Sequence, residues 1–580
     1  MAADQFGSAP RVSVNGAPLA ADLLPALVRV VVDLHLHLPD MFVLQFQDTD
    51  RNVVQRAGIE FGSQIVVSAT ADGDGTPGQL ITAEVTGLEQ EADHTGTRTI
   101  VRGYDASHRL CRGRRTRTFA DTTDADIVRQ LAGDAGVELG TVDGDGPSYE
   151  HVSQVNLTDW EFLRSRAHET GHELAVVSGK LNWHAPVSSS SAPDGTADLA
   201  APAKPGQLLL GGNLLRFRPR VTAAEQVSEV QVRGWDPSTK QAVLGSARPE
   251  TASASVGVSP ATLASTFGGA PFVLVDRPVR SQQDADVVAA SVADQIAGAH
   301  AEAEGVARGD PALVPGAAVQ VGCVGWPHDG DYVLSNARHH YDETGYRTEF
   351  AVSGRQERSL LGLASLGATK GSHRGNGPPM HGMVIGQVTD VSDPDSQGRV
   401  KVSFPWLSGE YESWWARVVQ LGAGDKRGIA WLPEVGDEVL VAFGHGDVGA
   451  PYVLGGLYNG IDAPPLADQL VDSGTGQVNR RALVSRSSHR LVFADDPSAS
   501  QVLLSTGDDN LTITLDQSQT SITIDSSGSV TISGNSQVHI TSDGDVSIAA
   551  SGQLSLSGQS GVTIDGGPSV SVSGDIIKLN

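Results

Sequence analysis

The chain has 580 residues, a formal charge of −27, 39% hydrophobic and 19% charged residues. That length exceeds one core and predicts three to five domains, and the acidic balance argues against partners held by a basic face, nucleic acid and anionic membranes among them. Two cysteines, Cys111 and Cys323, have no second thiol at metal spacing, which leaves neither a disulfide framework nor a zinc cage and fits folding in a reducing cytoplasm. The opening MAADQFGSAPRVSV lacks a signal pattern. The longest apolar stretch, residues 23–38, is interrupted by Pro25, Arg29, Asp33, His35 and His37 and cannot span a bilayer as a helix.

Along the first 363 residues the pattern is mixed α+β, with strands the majority. Residues 80–86 and 98–104 alternate as strands. Residues 122–135 and 159–170 read as helices, the second carrying Trp160, Phe162 and Leu163 before Gly171, and the Ala-rich residues 284–303 read as a third. Residues 186–206 (PVSSSSAPDGTADLAAPAKPG) read as a disordered loop, and residues 364–379 as an interdomain linker. Residues 380–460 change character. Five short Val-rich strands (MVIGQVTDV, GRVKVSFP, WWARVVQ, EVLVAF, PYVLGGLY) separated by Gly and Asp turns predict a small OB-fold barrel. Residues 461–510 form a neck, and residues 511–580 a needle.

The needle carries the strongest pattern. Apolar pairs separated by one residue occur at Ile522/Ile524, Val530/Ile532, Val538/Ile540, Val546/Ile548, Leu554/Leu556, Val562/Ile564 and Val570/Val572, with first members eight residues apart throughout. Each octad supplies one short strand with two apolar side chains on one face and a hydroxyl or His539 on the other, and Gly and Ser let the chain turn. One such strand buries too little to stand alone, so repeats must stack. An octad is too short for a single-chain coil with three faces, which predicts three chains wound on one axis and no open strand edges.

Here the residues resemble a known family. The segment PEVGDEVLVAFGHGDVGAPYVLGGLYNG (433–460) resembles the OB signature of VgrG-type spikes and tailed-phage baseplate spike proteins, and the octads resemble their C-terminal β-helix. Upstream, RGYDASHRLCRGRRTRTF (102–119), DTTDADIVRQLAGDAGV and DWEFLRSRAHETGHELAV (159–176) resemble the phage late-control hub family. The resemblance implies a mainly β hub, OB barrel and intertwined trimeric needle, with no catalytic residue and no cofactor. It implies a homotrimer at the tip of an injection tube whose hub matches a three-fold spike to a six-fold tube and contacts baseplate proteins, with effector cargo as a further partner. Such a spike is made in the bacterial cytoplasm and acts as part of a phage tail-like particle; the extracellular injection particles are the most similar branch. Some family needles hold a metal through a His-x-His pair near the tip, and none follows residue 511 here. Three chain ends at Ile576, Ile577 and Leu579 would leave an apolar apex, which predicts a separate PAAR-type tip protein.

Two rival functions compete with the spike. His168-Glu169-Thr170-Gly171-His172 matches the HExxH motif of zinc peptidases, which needs both imidazoles on one helical face. Gly171 stands where the helix should end, so His172 is expected to leave it. Asp33, His35 and His37 share a strand face and read as a solvent-facing polar stripe, while His339 and His340 should point to opposite sides. A glycan-binding tailspike would need aromatics on the needle, and no Trp, Tyr or Phe follows Phe493. The OB aromatics could stack bases, but residues 380–460 hold ten acidic and five basic residues.

Overall fold

A computed structural model describes residues 10–71, 77–94, 96–144, 146–195, 199, 203–355, 380, 382–496 and 498–578. The expected linker at 364–379 and Leu579 lie outside the described residues. The chain divides into two units, Met1–Asn459 and Gly460–Asn580.

The first unit is organised by an eleven-stranded sheet. Its order runs Leu214–Val221, Ala301–Arg308, Gly345–Val352, Asn336–Asp342, Leu27–His35, Met41–Gln47, Gly96–Tyr104, Gly78–Asp93, Gln64–Ala69, Arg11–Val14, Ala17–Pro18. Every pairing along it is antiparallel. Two halves of the sequence meet where Leu27–His35 pairs with Asn336–Asp342. The alternation in these strands buries one face of each: Phe42, Leu44 and Phe46 are fully buried in one core, while Ala303, Ala307 and Phe350 enter another. Gly305 is required there, because a Cβ at that position would stand 2.1 Å from Phe350 Cζ.

Two α+β layers interrupt the sheet in sequence. In the first, the helix Asp124–Ala135 starts at the N-cap Thr123, whose hydroxyl accepts from Asp126 N, two residues after the expected start. The helix Asp159–Thr170 matches its expected bounds. Thr158 and Glu161 form a reciprocal capping box, with hydrogen bonds of 3.1 and 2.9 Å. Both helices bury apolar faces on Phe119, Leu174 and Trp183, and the Phe119 and Phe162 rings stack at 5.7 Å. In the second layer, Glu229–Asp236, Gln241–Ala247 and Pro271–Leu274 form a three-stranded sheet under the helix Gln282–Gly298.

That third helix corrects the expectation of 284–303. It ends at Gly298, and the next residues form the strand Ala301–Arg308. Ala301, Ala303, Gly305 and Ala307 are the buried alternate positions of that strand. A two-residue period written in alanines was masked by alanine's helix propensity. Within the expected loop at 186–206, several described residues make hydrogen bonds. Ser189 is buried and donates its N–H to Ala252 O, the Gln320 amide reaches Gly195 O at 2.7 Å, and Lys204 Nζ reaches Asp194 O.

The five Val-rich segments form a closed barrel of Met383–Asp390, Arg399–Ser403, Ala416–Val418, Pro451–Gly456 and Glu438–Phe443. Val388, Val400, Val402, Phe404, Val439, Val441 and Val453 fill it.

In the second unit, Arg480–Val484, Arg490–Ala494, Gln501–Ser505, Leu511–Asp516 and Ser521–Ser526 make a five-stranded antiparallel sheet, which crosses the expected neck–needle boundary at 510/511. Among the described residues no strand is assigned from 527 to 578.

Candidate functional site

Two features stand out: a joint between barrel and hub, and the ladder of apolar pairs. The hub strand Ser148–Leu157 is buried on both faces from Val152 to Val155, and three of its residues meet the barrel. Val155 joins the barrel's own core. The Ser153 hydroxyl lies 3.2 Å from the Tyr411 hydroxyl. The His151 ring stacks on Trp414 at 5.7 Å, and burial holds its pKa below the ordinary imidazole value. Lys401, paired with Glu412 at 3.1 Å, also stands over Trp415 at 5.3 Å. These contacts seat the barrel on the hub through aromatic packing. The sequence-level assignment of the OB aromatics to core and collar packing agrees for Tyr411, Trp414 and Trp415. Nothing local in the strand 148–157 signals its barrel partner, which lies some 258 residues away.

The ladder residues occupy the opposite environment. Ile522 and Ile524 lie in the strand Ser521–Ser526, and the pairs from Val530 to Val572 follow on the chain beyond it. All fourteen side chains, including Ile532, Ile540, Ile548, Leu554, Leu556, Val562 and Ile564, are 50–73% exposed. Ile576 and Ile577 are exposed as well. A strand needs a neighbour for its N–H and C=O groups; the first octad finds one in Leu511–Asp516, and among the described residues no strand pairing follows residue 526. A single chain therefore presents an uncovered apolar ladder.

The HExxH segment is built into packing. Gly171 caps the helix at φ 78°, so His172 lies beyond it and stacks on Trp183 at 5.1 Å. The Gln295 amide donates to His168 Nδ1 at 2.6 Å. Glu169 pairs with Arg166 at 2.8 Å and Arg277 at 3.2 Å. Arg166 in turn makes a two-pronged contact with the buried Asp124, at 2.7 and 3.1 Å, and covers the Tyr149 ring. Among the described residues no three His, Cys, Asp or Glu side chains converge as metal ligands.

The strand Leu27–His35 ends before His37, so the expected stripe is a strand end and a turn. Asp33 accepts from the Asn336 amide at 2.8 Å and pairs with Arg338, so it faces a neighbouring strand more than water. His339 and His340 do point apart: His339 is buried against the Tyr346 hydroxyl, and His340 faces Glu349 at 3.3 Å.

Comparison with known proteins centres on the barrel. The profile of the type VI secretion system/phage-baseplate injector OB domain matches residues 384–458. A second profile, the Alg8 N-terminal domain, matches residues 83–343, less than half of the chain. The type VI secretion system spike protein VgrG3 of Vibrio cholerae is 37% identical over 131 residues, 22% of this chain and 13% of that protein. Spike protein VgrG1c of Pseudomonas aeruginosa is 31% identical over 132 residues, 22% of this chain and 18% of that protein. The matched stretches span less than a fifth of these relatives. By fold alone, the chain is similar to the Francisella PdpA–VgrG complex in its half-lidded form, with TM-score 0.51 at 8% identity, covering 90% of this chain and 88% of that one. Residues 384–458 are an injector OB domain of the type VI secretion system/phage-baseplate kind, and over some 130 residues the chain is similar to VgrG spike proteins.

Proposed function

We propose that three copies of this chain assemble into the central spike of a contractile injection machine. The observation that carries this is the injector OB barrel followed in sequence by fourteen exposed aliphatic side chains in unbroken octads. Pairs that one chain leaves in water become a core when three chains wind together, and the hydroxyl positions between them face outward. The domain plan is a hub over 1–363, a linker at 364–379, the barrel at 380–460, a neck, and the needle from 511. The hub meets the inner tube and baseplate, the needle pierces the envelope and nucleates assembly, and Ile576, Ile577 and Leu579 meet a PAAR-type tip protein. The role is mechanical: contraction supplies force and the needle supplies stiffness.

The test uses Ile532→Asp and Ile548→Asp. Each substitution places three like charges near one axis without partners, which should prevent needle assembly. Intact, protease-resistant trimers from either variant would overturn the proposal. Loss of trimers with an unchanged hub unfolding transition is the expected result.

A further inference from the structure

Among the described residues Gly345–Val352 is the last hub strand in chain order, and from Arg355 onward the chain leads to the barrel strand at Met383. Three residues take it out of the sheet. Ser353 donates its N–H to the Ser335 hydroxyl at 3.1 Å, and the two hydroxyls lie 3.0 Å apart. Gly354 has φ 56° and crosses the end of the helix Gln282–Gly298 so closely that a Cβ would stand 2.7 Å from Gly298 O. The Arg355 side chain is then buried in the hub, only 8% exposed.

One guanidinium touches both α+β layers. Its Nη1 and Nη2 donate to Gly171 O and His172 O at 3.1 and 2.7 Å, just beyond the helix Asp159–Thr170 of the first layer. Its Nε stands 3.3 Å from Asp294 Oδ2, on the helix Gln282–Gly298 of the second. The C-terminal end of a helix carries negative potential, which favours a cation there. Glu173 Oε2 and Asp294 Oδ1 are buried without a hydrogen-bond partner, and Arg355 lies beside both groups. Its loss would leave buried carboxylate charge uncompensated.

The two layers are also joined to each other without it. Ser291 Oγ donates to His168 O at 2.6 Å, and Glu169 pairs with Arg277 at 3.2 Å. What Arg355 adds is a tie from both layers to the end of the last strand. That strand lies between two neighbours in the large sheet, so its end is where peeling would start. We infer that Arg355 is a latch on the chain's exit from the hub. It makes the end of the last strand open only together with the two layers, so a displacement arriving from the barrel side is shared by the hub and does not peel that strand away. The inference concerns the hub alone and goes beyond the trimeric spike proposed above.

The test is native-state thiol labelling of the full-length chain carrying Cys111→Ser and Cys323→Ser, with the solution mass measured beside it. Val352→Cys reports the exit, Ala175→Cys the first layer and Ala297→Cys the second; all three native side chains are buried. With Arg355 in place the three positions should label at similar rates. With Arg355→Gln, position 352 should label about tenfold or more faster while 175 and 297 keep their rates. Arg355→Lys keeps the charge without the fork and should fall between the two. An unchanged rate at 352 in Arg355→Gln would overturn the latch, and so would equal acceleration at all three positions, the mark of a general stabiliser. Should Arg355→Gln fail to fold, the same comparison in Arg355→Lys decides. The expected labelling pattern in a particle of one chain mass would contradict the spike and leave the latch standing.

Discussion

The strand Met41–Gln47 and the octads carry the same alternation of aliphatic and polar residues, and they end in opposite environments. Phe42, Leu44 and Phe46 are fully buried, whereas Ile532, Ile540 and Ile548 are 67–70% exposed. The difference lies in what surrounds the strand. In the first unit the chain returns again and again to add neighbours on both edges and a second layer above the apolar face. In the octads beyond residue 526 no strand pairing occurs among the described residues. The same local code therefore specifies a finished core in one region and half of an interface in the other.

That contrast can be broken first at the hub. Arg166→Leu removes the partner of the buried Asp124 carboxylate while keeping apolar bulk. An uncompensated buried charge costs roughly 3–5 kcal/mol. The hub unfolding transition should fall by that amount in urea, while the needle keeps the chain trimeric. The matching change, Ile564→Ala, should leave the hub transition unmoved and weaken only assembly. A shifted hub transition from Ile564→Ala would show that the two regions are not independent.

A smaller effect comes from acid. Burial holds His151, His172, His300, His339 and His340 below the ordinary value of 6.5, His339 at about 3. Below 6.5 the unfolded chain binds protons that the folded hub refuses, so stability falls as pH drops from 6.5 toward the depressed values. His339, held at about 3, contributes about 1 kcal/mol of that loss by pH 5.5. Hub stability in urea at pH 7.5 and 5.5 measures the slope, and His151→Phe, which keeps a ring for Trp414, should reduce it. An unchanged slope would contradict the buried, neutral state of His151.

The smallest effect has the opposite sign. Burial raises Asp40 well above its usual value, and the neighbouring Asp105 adds to it. A raised carboxyl binds protons on folding, so its contribution to stability is present at low pH and lost as pH rises through the folded value. Asp40→Asn keeps an acceptor for His35 N, at 2.8 Å in the native chain, and removes the charge. The variant should be more stable at pH 7.5, with the gain vanishing in acid. A thermal melt series against pH reads both features; destabilisation at pH 7.5 would contradict it.

How much was legible depended on the range of the interactions involved. The five barrel strands and the capped helix at 159–170 could be read because turn residues, caps and apolar period are local signals. The octads were legible because one period repeats without a slip. Leu491/Phe493, Val502/Leu504 and Ile513/Leu515 have the same i, i+2 form, but turns of unequal length hide the period until the strands are paired. The strand from Ala301 was lost to alanine's ambiguity, and the seat of Trp414 on His151 is a long-range contact with no local trace. The loop at 186–206 reads as disordered by composition, yet Gln320 and Ser189 hold its described ends.

The central claim is that the exposed ladder is completed by copies of the same chain. The solution mass of the full-length protein, measured by light scattering with and without residues 511–580, tests it most directly. The account predicts three times the 60.4 kDa chain mass for the full chain, with weakening or dissociation on truncation. A stable particle of one chain mass with the ladder intact would contradict it.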